Sequence, residues 1–288
     1  MKIAINNLSK SYRHGSKALD VVSLTIESGM FGLLGHNGAG KTTLMRIIAT
    51  LMEPTNGQVL IDDLSVVNPK HKLLIRQQLG YLPQDITLYG GLSAYDFLDF
   101  IATMKKIGTS QQRRQHIESV LDTTSLTAVA DKKIKDFSGG MKRRVGIAQA
   151  LLGNPTLLIV DEPTVGLDPQ ERVRFRNLLV ALAQQRIVIL SSHILEDIAQ
   201  TCPVIGILNQ GILTFHGTPD DLLVRVRGCI WEFEATQYVA DEQSIIVTTI
   251  PTQDKYLYRV LAAMPPHPNA QPTTPTLEES YLWHMQPH

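Results

Sequence analysis

The chain has 288 residues, 43% hydrophobic and 19% charged, enough for one large α/β domain and a smaller appendage. Lys+Arg and Asp+Glu both number 27, so no global positive field draws the chain onto nucleic acid or anionic lipid. Cys202 and Cys229 offer neither metal-ligand spacing nor a disulfide framework, the start "MKIAINNLSKSY" does not read as a signal peptide, and no apolar run reaches the roughly 18 residues that span a bilayer. These features predict a reducing compartment and no membrane span.

In chain order, Met1 to about Ile26 alternates apolar and polar residues around the turn-rich "RHGSK", which predicts an antiparallel edge. "FGLL" (31–34), "LLIV" (157–160), "IVIL" (187–190) and "VIGIL" (204–208) read as buried strands of a mostly parallel sheet. Residues from about 93 to 153 lack a good strand and read as helices, broken at "KKIGTSQQ" and "TTSLT". Near Gly217 the pattern changes. "GTPDDLL" starts a short helix, "CIWEFEA" and "SIIVTTI" alternate like half-exposed strands, and "PPHPNAQPTTP" (265–275) is too proline-rich for helix or sheet and reads as a linker or an extended crossing. A boundary is expected near 217–220.

"GHNGAGKT" (35–42) fits G-x-x-x-x-G-K-[ST] between the strand "FGLL" and the helix "TTLMRIIATL". Gly35, Gly38 and Gly40 let the backbone bend its N–H groups toward phosphate, with His36, Asn37 and Ala39 completing the loop. The helix that follows adds its positive dipole end. Lys41 supplies a charge for β- and γ-phosphates, and Thr42 a hydroxyl for Mg²⁺.

"LLIVDEP" (157–163) is a buried strand ending in two carboxylates, and the carboxyl ends of parallel strands face the ligand crevice. Asp161 suits Mg²⁺, and Glu162 is placed to polarise an attacking water. No N-K-x-D segment occurs to read guanine, which disfavours GTP. A second glycine turn, "FSGGMKRR" (137–144), has Ser138 as a natural N-cap and Gly139 and Gly140 leaving N–H groups bare. Val145, Ala148 and Leu152 then mark an apolar helical face. This is another anion-binding helix start, with no Lys and no strand before it: half a site.

The chain resembles the ATP-binding subunits of the ABC transporter family. The matching motifs run in order: Tyr12 in "SKSY", "GHNGAGKTT", Gln84 in "YLPQD", "FSGGM", "LLIVDEP", "GLD" ending at Asp168, and His193 in "SSH". The resemblance covers residues 1 to about 217. It implies an α/β fold: a P-loop NTPase core with a mostly parallel sheet, an N-terminal antiparallel β edge subdomain, an inserted helical subdomain (about 85–155) and a small C-terminal α+β extension (218–288). It further implies that two subunits pack head to tail, so that Ser138, Gly139 and Gly140 bind a γ-phosphate held by the partner's loop. Tyr12 would stack on adenine, and Thr43 would join Thr42 in binding nucleotide. Gln84 would touch Mg²⁺ and the water, His193 would bond the γ-phosphate and assist Glu162, and Asp168 would lie at the dimer seam.

Three positions depart from the family pattern. Met141 replaces the usual Gln of L-S-G-G-Q, Phe137 keeps the apolar anchor of the usual Leu, and His36 stands where Pro is common. Glu162 and His193 are present, so hydrolysis of ATP with Mg²⁺ is expected rather than passive ATP-driven dimerisation. The resemblance implies a motor for a separate integral membrane permease, working as a homodimer, with the chain cytoplasmic and peripheral on the inner face of the membrane. "PTLEESYLWHM" resembles the closing helix of ATPase subunits serving ABC-2-like exporters, with Leu277, Tyr281 and Leu282 on one face, which favours export. The alternative is a soluble family member in translation or DNA maintenance. A single cassette, the short interval from Lys41 to Asp161 and zero net charge argue against it, and no nucleic-acid partner is expected.

Overall fold

The computed structural model describes residues 1–12, 15–27, 29–241 and 243–286; Arg13 and His14 of the "RHGSK" turn lie outside them. Strands β1 (Ile3–Ser11) and β2 (Lys17–Ile26) pair antiparallel, turning Ile3, Ile5, Leu8, Leu19, Val22 and Leu24 inward. β3 (Met30–Leu34) is buried at every position, as a strand covered on both faces must be. Helix α1 (Lys41–Ile48) follows it, and β4 (Asn56–Ile61) and β5 (Leu64–Ser65) return to complete an antiparallel sheet of order β2-β1-β4-β5.

α2 (Pro69–Gln77) starts where Asn68 accepts from the N–H groups of Lys70 and His71, with Pro69 pre-set for the first turn. β6 (Leu79–Leu82) precedes the helical stretch, which contains α3 (Ala94–Met104), α4 (Ser110–Thr123) and α5 (Gly139–Leu151). α4 begins inside the expected break "KKIGTSQQ", because Thr109 and Gln112 form a reciprocal capping box there.

β7 (Leu157–Asp161), α6 (Pro169–Ala183), β8 (Ile187–Ser192), α7 (Leu195–Ala199), β9 (Val204–Asn209) and β10 (Ile212–Gly217) complete the central sheet. Its order is β10-β9-β3-β8-β7-β6, parallel except for the β10 edge. Alternate residues feed two cores. Leu158, Val160, Val188 and Leu190 pack toward the helices, while Leu157, Ile159, Ile187 and Ile189 pack toward α1 and the antiparallel sheet.

Beyond β10 come α8 (Pro219–Arg225), β11 (Ile230–Ala235), β12 (Ser244–Pro251), β13 (Tyr256–Ala262), β14 (Gln271–Pro272) and α9 (Leu277–Met285). The strands form an antiparallel sheet of order β12-β13-β11-β14. Two sequence expectations are corrected here. The proline-rich stretch contributes β14, pairing Gln271 with Glu232 and Pro272 with Trp231, which is possible because proline is tolerated on an edge strand. And α9 does not present one apolar face: Leu277 and Tyr281 pack on the main core, whereas Leu282 packs with Val226, Ile230 and Leu261 beneath the C-terminal sheet. The helix is wedged between two clusters.

Candidate active site

Four neighbouring parallel strands, β3, β8, β7 and β6, each deliver one component of the site at or just beyond their carboxyl ends. After β3 the loop of residues 35–40 wraps into α1, whose N-cap is Gly40 at φ 107°. That left-handed backbone, with the Ala18 carbonyl 2.4 Å from where a Cβ would stand, admits only glycine. The Ala39 carbonyl accepts from the N–H of Gly211 at 3.0 Å, and the Gly211 carbonyl accepts from Asp20 N–H at 2.8 Å, fixing the loop to the β9–β10 turn and to β2.

The resulting cleft is about 430 Å³ and is lined by Tyr12, His36, Asn37, Gly38, Gly40, Lys41, Thr42, Thr43, Gln84 and Glu162 among the sequence-predicted residues. Gly35 and Ala39 are buried beneath it. Ser16, Lys17 and Ala18 also line it; their only sequence signal is the turn into β2. The Tyr12 hydroxyl lies 3.2 Å from Thr43 Oγ1, at the mouth.

Lys41 is nearly sequestered: its Nζ donates to the carbonyls of Gly35 (2.7 Å) and His36 (3.2 Å) and lies 3.1 Å from Glu162 Oε1. Glu162 follows β7 in a left-handed conformation, φ 48°, unusual for a residue with a Cβ. Its backbone N–H donates to Ser191 Oγ at 3.0 Å, and its Oε2 accepts from His193 Nδ1 at 2.7 Å. Because a carboxylate only accepts, that contact puts the proton on Nδ1 and leaves the other ring nitrogen free to meet a ligand.

Asp161 is 1% exposed, and its Oδ1 accepts from Ser191 Oγ at 2.7 Å. Burial raises its pKa, opposed by hydrogen bonds from Ser191 and Thr42. A carboxylate held in this way gains from a nearby cation. Ser191 opens the "SSH" stretch, but nothing in the sequence gives it a role, because only the β7–β8 register sets it opposite Asp161.

The second glycine turn does not line this cleft. Ser138 caps α5, its Oγ accepting from Met141 N–H at 3.2 Å, and it lies exposed with Gly139. Gly140 is packed close, a Cβ there standing 2.9 Å from Glu171 Oε2. Met141 packs on the helical core, which accounts for an apolar residue at that position. Asp168 is exposed and caps α6.

Comparison with known proteins agrees with this geometry. Residues 19–165 match the family described as ABC transporter. The chain belongs to the ABC transporter ATP-binding family. It is 38% identical over 225 residues to the linearmycin resistance ATP-binding protein LnrL of Bacillus subtilis, covering 77% of this chain and 71% of that protein. It is 33% identical over 224 residues to the lipopolysaccharide export system ATP-binding protein LptB of Escherichia coli, covering 77% of this chain and 92% of that one. The dimeric post-hydrolysis structure of the ATP-binding cassette MJ0796 with ADP and Pi superposes at TM-score 0.68 and 27% identity, over 75% of this chain and 98% of that one. As a member of this family the chain is an ATPase subunit of an ABC transporter, with ATP as its nucleotide. A role in translation or DNA maintenance is not favoured.

Proposed function

We propose that two copies of this chain close face to face on two ATP molecules, each held by the loop of one copy and the Ser138–Gly140 turn of the other, and that this closure drives an exporting permease. The observation that carries this reading is the separation described above: Lys41 and Glu162 line one cleft, with His193 on Glu162 and Asp161 buried behind it on Ser191, while an exposed, capped glycine turn at a helix start lies outside that cleft. The dimeric form of MJ0796 supports the same reading.

In this mechanism the loop N–H groups and Lys41 bind the β- and γ-phosphates, drawing Lys41 away from Glu162. Glu162, released from that cation and oriented by His193, takes the proton of the attacking water. His193, with Nδ1–H on Glu162, donates to a γ-phosphate oxygen from Nε2 when that nitrogen also carries a proton, and Tyr12 stacks on the base at the cleft mouth. Thr42, Gln84 and Asp161 would hold Mg²⁺, which neutralises developing phosphate charge when bound. The donor set fits a hard ion: one buried carboxylate, a hydroxyl and an amide. No group of three or more His, Cys, Asp or Glu that could bind metal unaided occurs among the described residues, so phosphate and water would complete the shell.

We assign residues 1–217 to the ATP-binding domain, with 85–155 as its helical subdomain, and 218–288 to an accessory region. No described helix is long and apolar enough to cross a membrane, so a separate permease would hold the chain on the inner face. Leu73 of α2, with Tyr89, Phe100 and Met104 of the helical region, exposes large apolar side chains suited to receiving a permease helix. Export is supported by the name of LptB.

Size measurement of Glu162→Gln with ATP tests the dimer: a stable ATP-dependent dimer is expected, and a monomer at saturating ATP overturns it. Copurification from detergent-solubilised membranes should bring a permease with the chain.

A further inference from the structure

Arg143 lies five residues after Ser138 on α5, in a run of three basic residues that would ordinarily form a solvated face. Instead its guanidinium is spent on three backbone carbonyls. Nε donates to Pro163 O, Nη1 to Gln84 O and Nη2 to Glu162 O, each at 2.7 Å. Its neighbour Arg144 behaves differently, pairing with the Glu171 carboxylate at 3.1 Å.

Only Arg reaches this arrangement. A planar fork aims separate N–H groups at separate acceptors, whereas a lysine ammonium is a single point. Burial works against its charge, and the nearby carboxylates of Asp85, Asp161 and Glu162 favour it. The acceptors are also telling. Gln84 follows β6, and Glu162 and Pro163 follow β7, so one side chain ties both hydrolytic segments to the helix that begins with the glycine turn. The Glu162 main chain is thereby clamped from both sides, its N–H on Ser191 and its C=O on Arg143, which holds the strained φ of 48°.

We propose that Arg143 is a positioning residue that makes hydrolysis at a chain's own Glu162 depend on whether its glycine turn is engaged by the partner's nucleotide. This rests on the cross-dimer reading given above. A phosphate bound at Ser138–Gly140 fixes the first turn of α5; the next turn carries Arg143, and through it the carbonyls of Glu162 and Gln84 move with the helix. Displacing a catalytic group by about 1 Å lowers the rate by about a hundredfold, so small shifts suffice.

Arg143→Lys, with Arg143→Ala beside it, tests this. ATPase rate against ATP concentration, nucleotide affinity from fluorescent-ATP titration, and the thermal midpoint are measured for each. For Arg143→Lys the expected result is a fall in kcat of about ten- to a hundredfold, with affinity and thermal midpoint unchanged and the Hill coefficient for ATP reduced toward one. An unchanged kcat overturns the proposal, and so does a reduced kcat with cooperativity intact, since Arg143 would then only pack. Arg143→Lys placed in the Glu162→Gln background keeps the two readings apart: it should still dimerise with ATP, whereas monomeric Glu162→Gln alone defeats the dimer itself.

Discussion

Lys41–Glu162 and Arg259–Glu279 are both ion pairs with a buried carboxylate, and they are built for opposite ends. In the first, 3.1 Å apart with both side chains about 5% exposed or less, Glu162 Oε1 makes a charge contact without a directed hydrogen bond. Lys41 gives its directed bonds to two loop carbonyls instead. In the second, Arg259 forks onto Glu279, Nε to Oε1 and Nη2 to Oε2, and Oε2 also accepts from Thr276 N–H at 2.7 Å, capping α9. The first pair can exchange partners when phosphate arrives. The second joins β13 to α9, and its guanidinium is held further by Thr274 O and by Glu232 of β11 at 3.6 Å, so it is a multiply tied fastening. Burial alone does not say whether an ion pair is machinery or fastening; the number of directed bonds does.

The comparison breaks most sharply at the first pair. Lys41→Met and Glu162→Gln should each lower ATP turnover by at least about a hundredfold. Glu162→Gln should leave the melting temperature nearly unchanged because Lys41 keeps its two carbonyl bonds, whereas Lys41→Met strands the buried Glu162 carboxylate and should also lower it. A large loss of stability in Glu162→Gln would mean that the pair is also structural.

At the second pair the pattern should invert. Arg259→Met leaves the Glu279 carboxylate buried without its cation, at a cost of about 3 kcal/mol in denaturant unfolding, with turnover retained at low temperature. Arg259→Met with Glu279→Leu should recover only part of that loss, since the apolar pair removes the buried charge but also the cap that Glu279 gives Thr276 N–H.

A smaller effect appears in acid. Burial pushes the Glu279 carboxyl up, but Arg259 and Thr276 more than offset this and hold it below its ordinary value of 4.5. Its stabilisation is therefore complete above pH 4.5 and is lost as pH falls through the lowered value. Unfolding measured from pH 6 down should show an acid limb that flattens in Glu279→Gln. The smallest signal is thiol reactivity. Cys202, buried against β3 with its pKa pushed up to about 12, should resist alkylation until unfolding, while the partly exposed Cys229 at the start of the C-terminal sheet reacts first.

Much of the site was legible because its chemistry forces residue types onto backbone positions. A loop turning at φ 107° needs Gly40, a phosphate site needs Lys41, and a strand end facing the crevice shows its carboxylates in order. What escaped depends on pairing across the chain. Ser191 matters through its register with Asp161, and Arg143 through three carbonyls that its neighbours in sequence do not reveal. The same limit applies to the fold. The buried runs announced their strands, but β14 is a strand only because Glu232 and Trp231 leave an edge for Gln271 and Pro272 to meet.

The bond from Gly211 to Ala39 has a consequence for biosynthesis. The nucleotide loop emerges early from the ribosome, yet its anchoring turn is made some 170 residues later, between the last two strands of the central sheet. A nascent chain halted before residue 211 should hold ATP about tenfold more weakly than the full chain, so the loop gains its final rigidity only when nearly all of the ATP-binding portion has been translated.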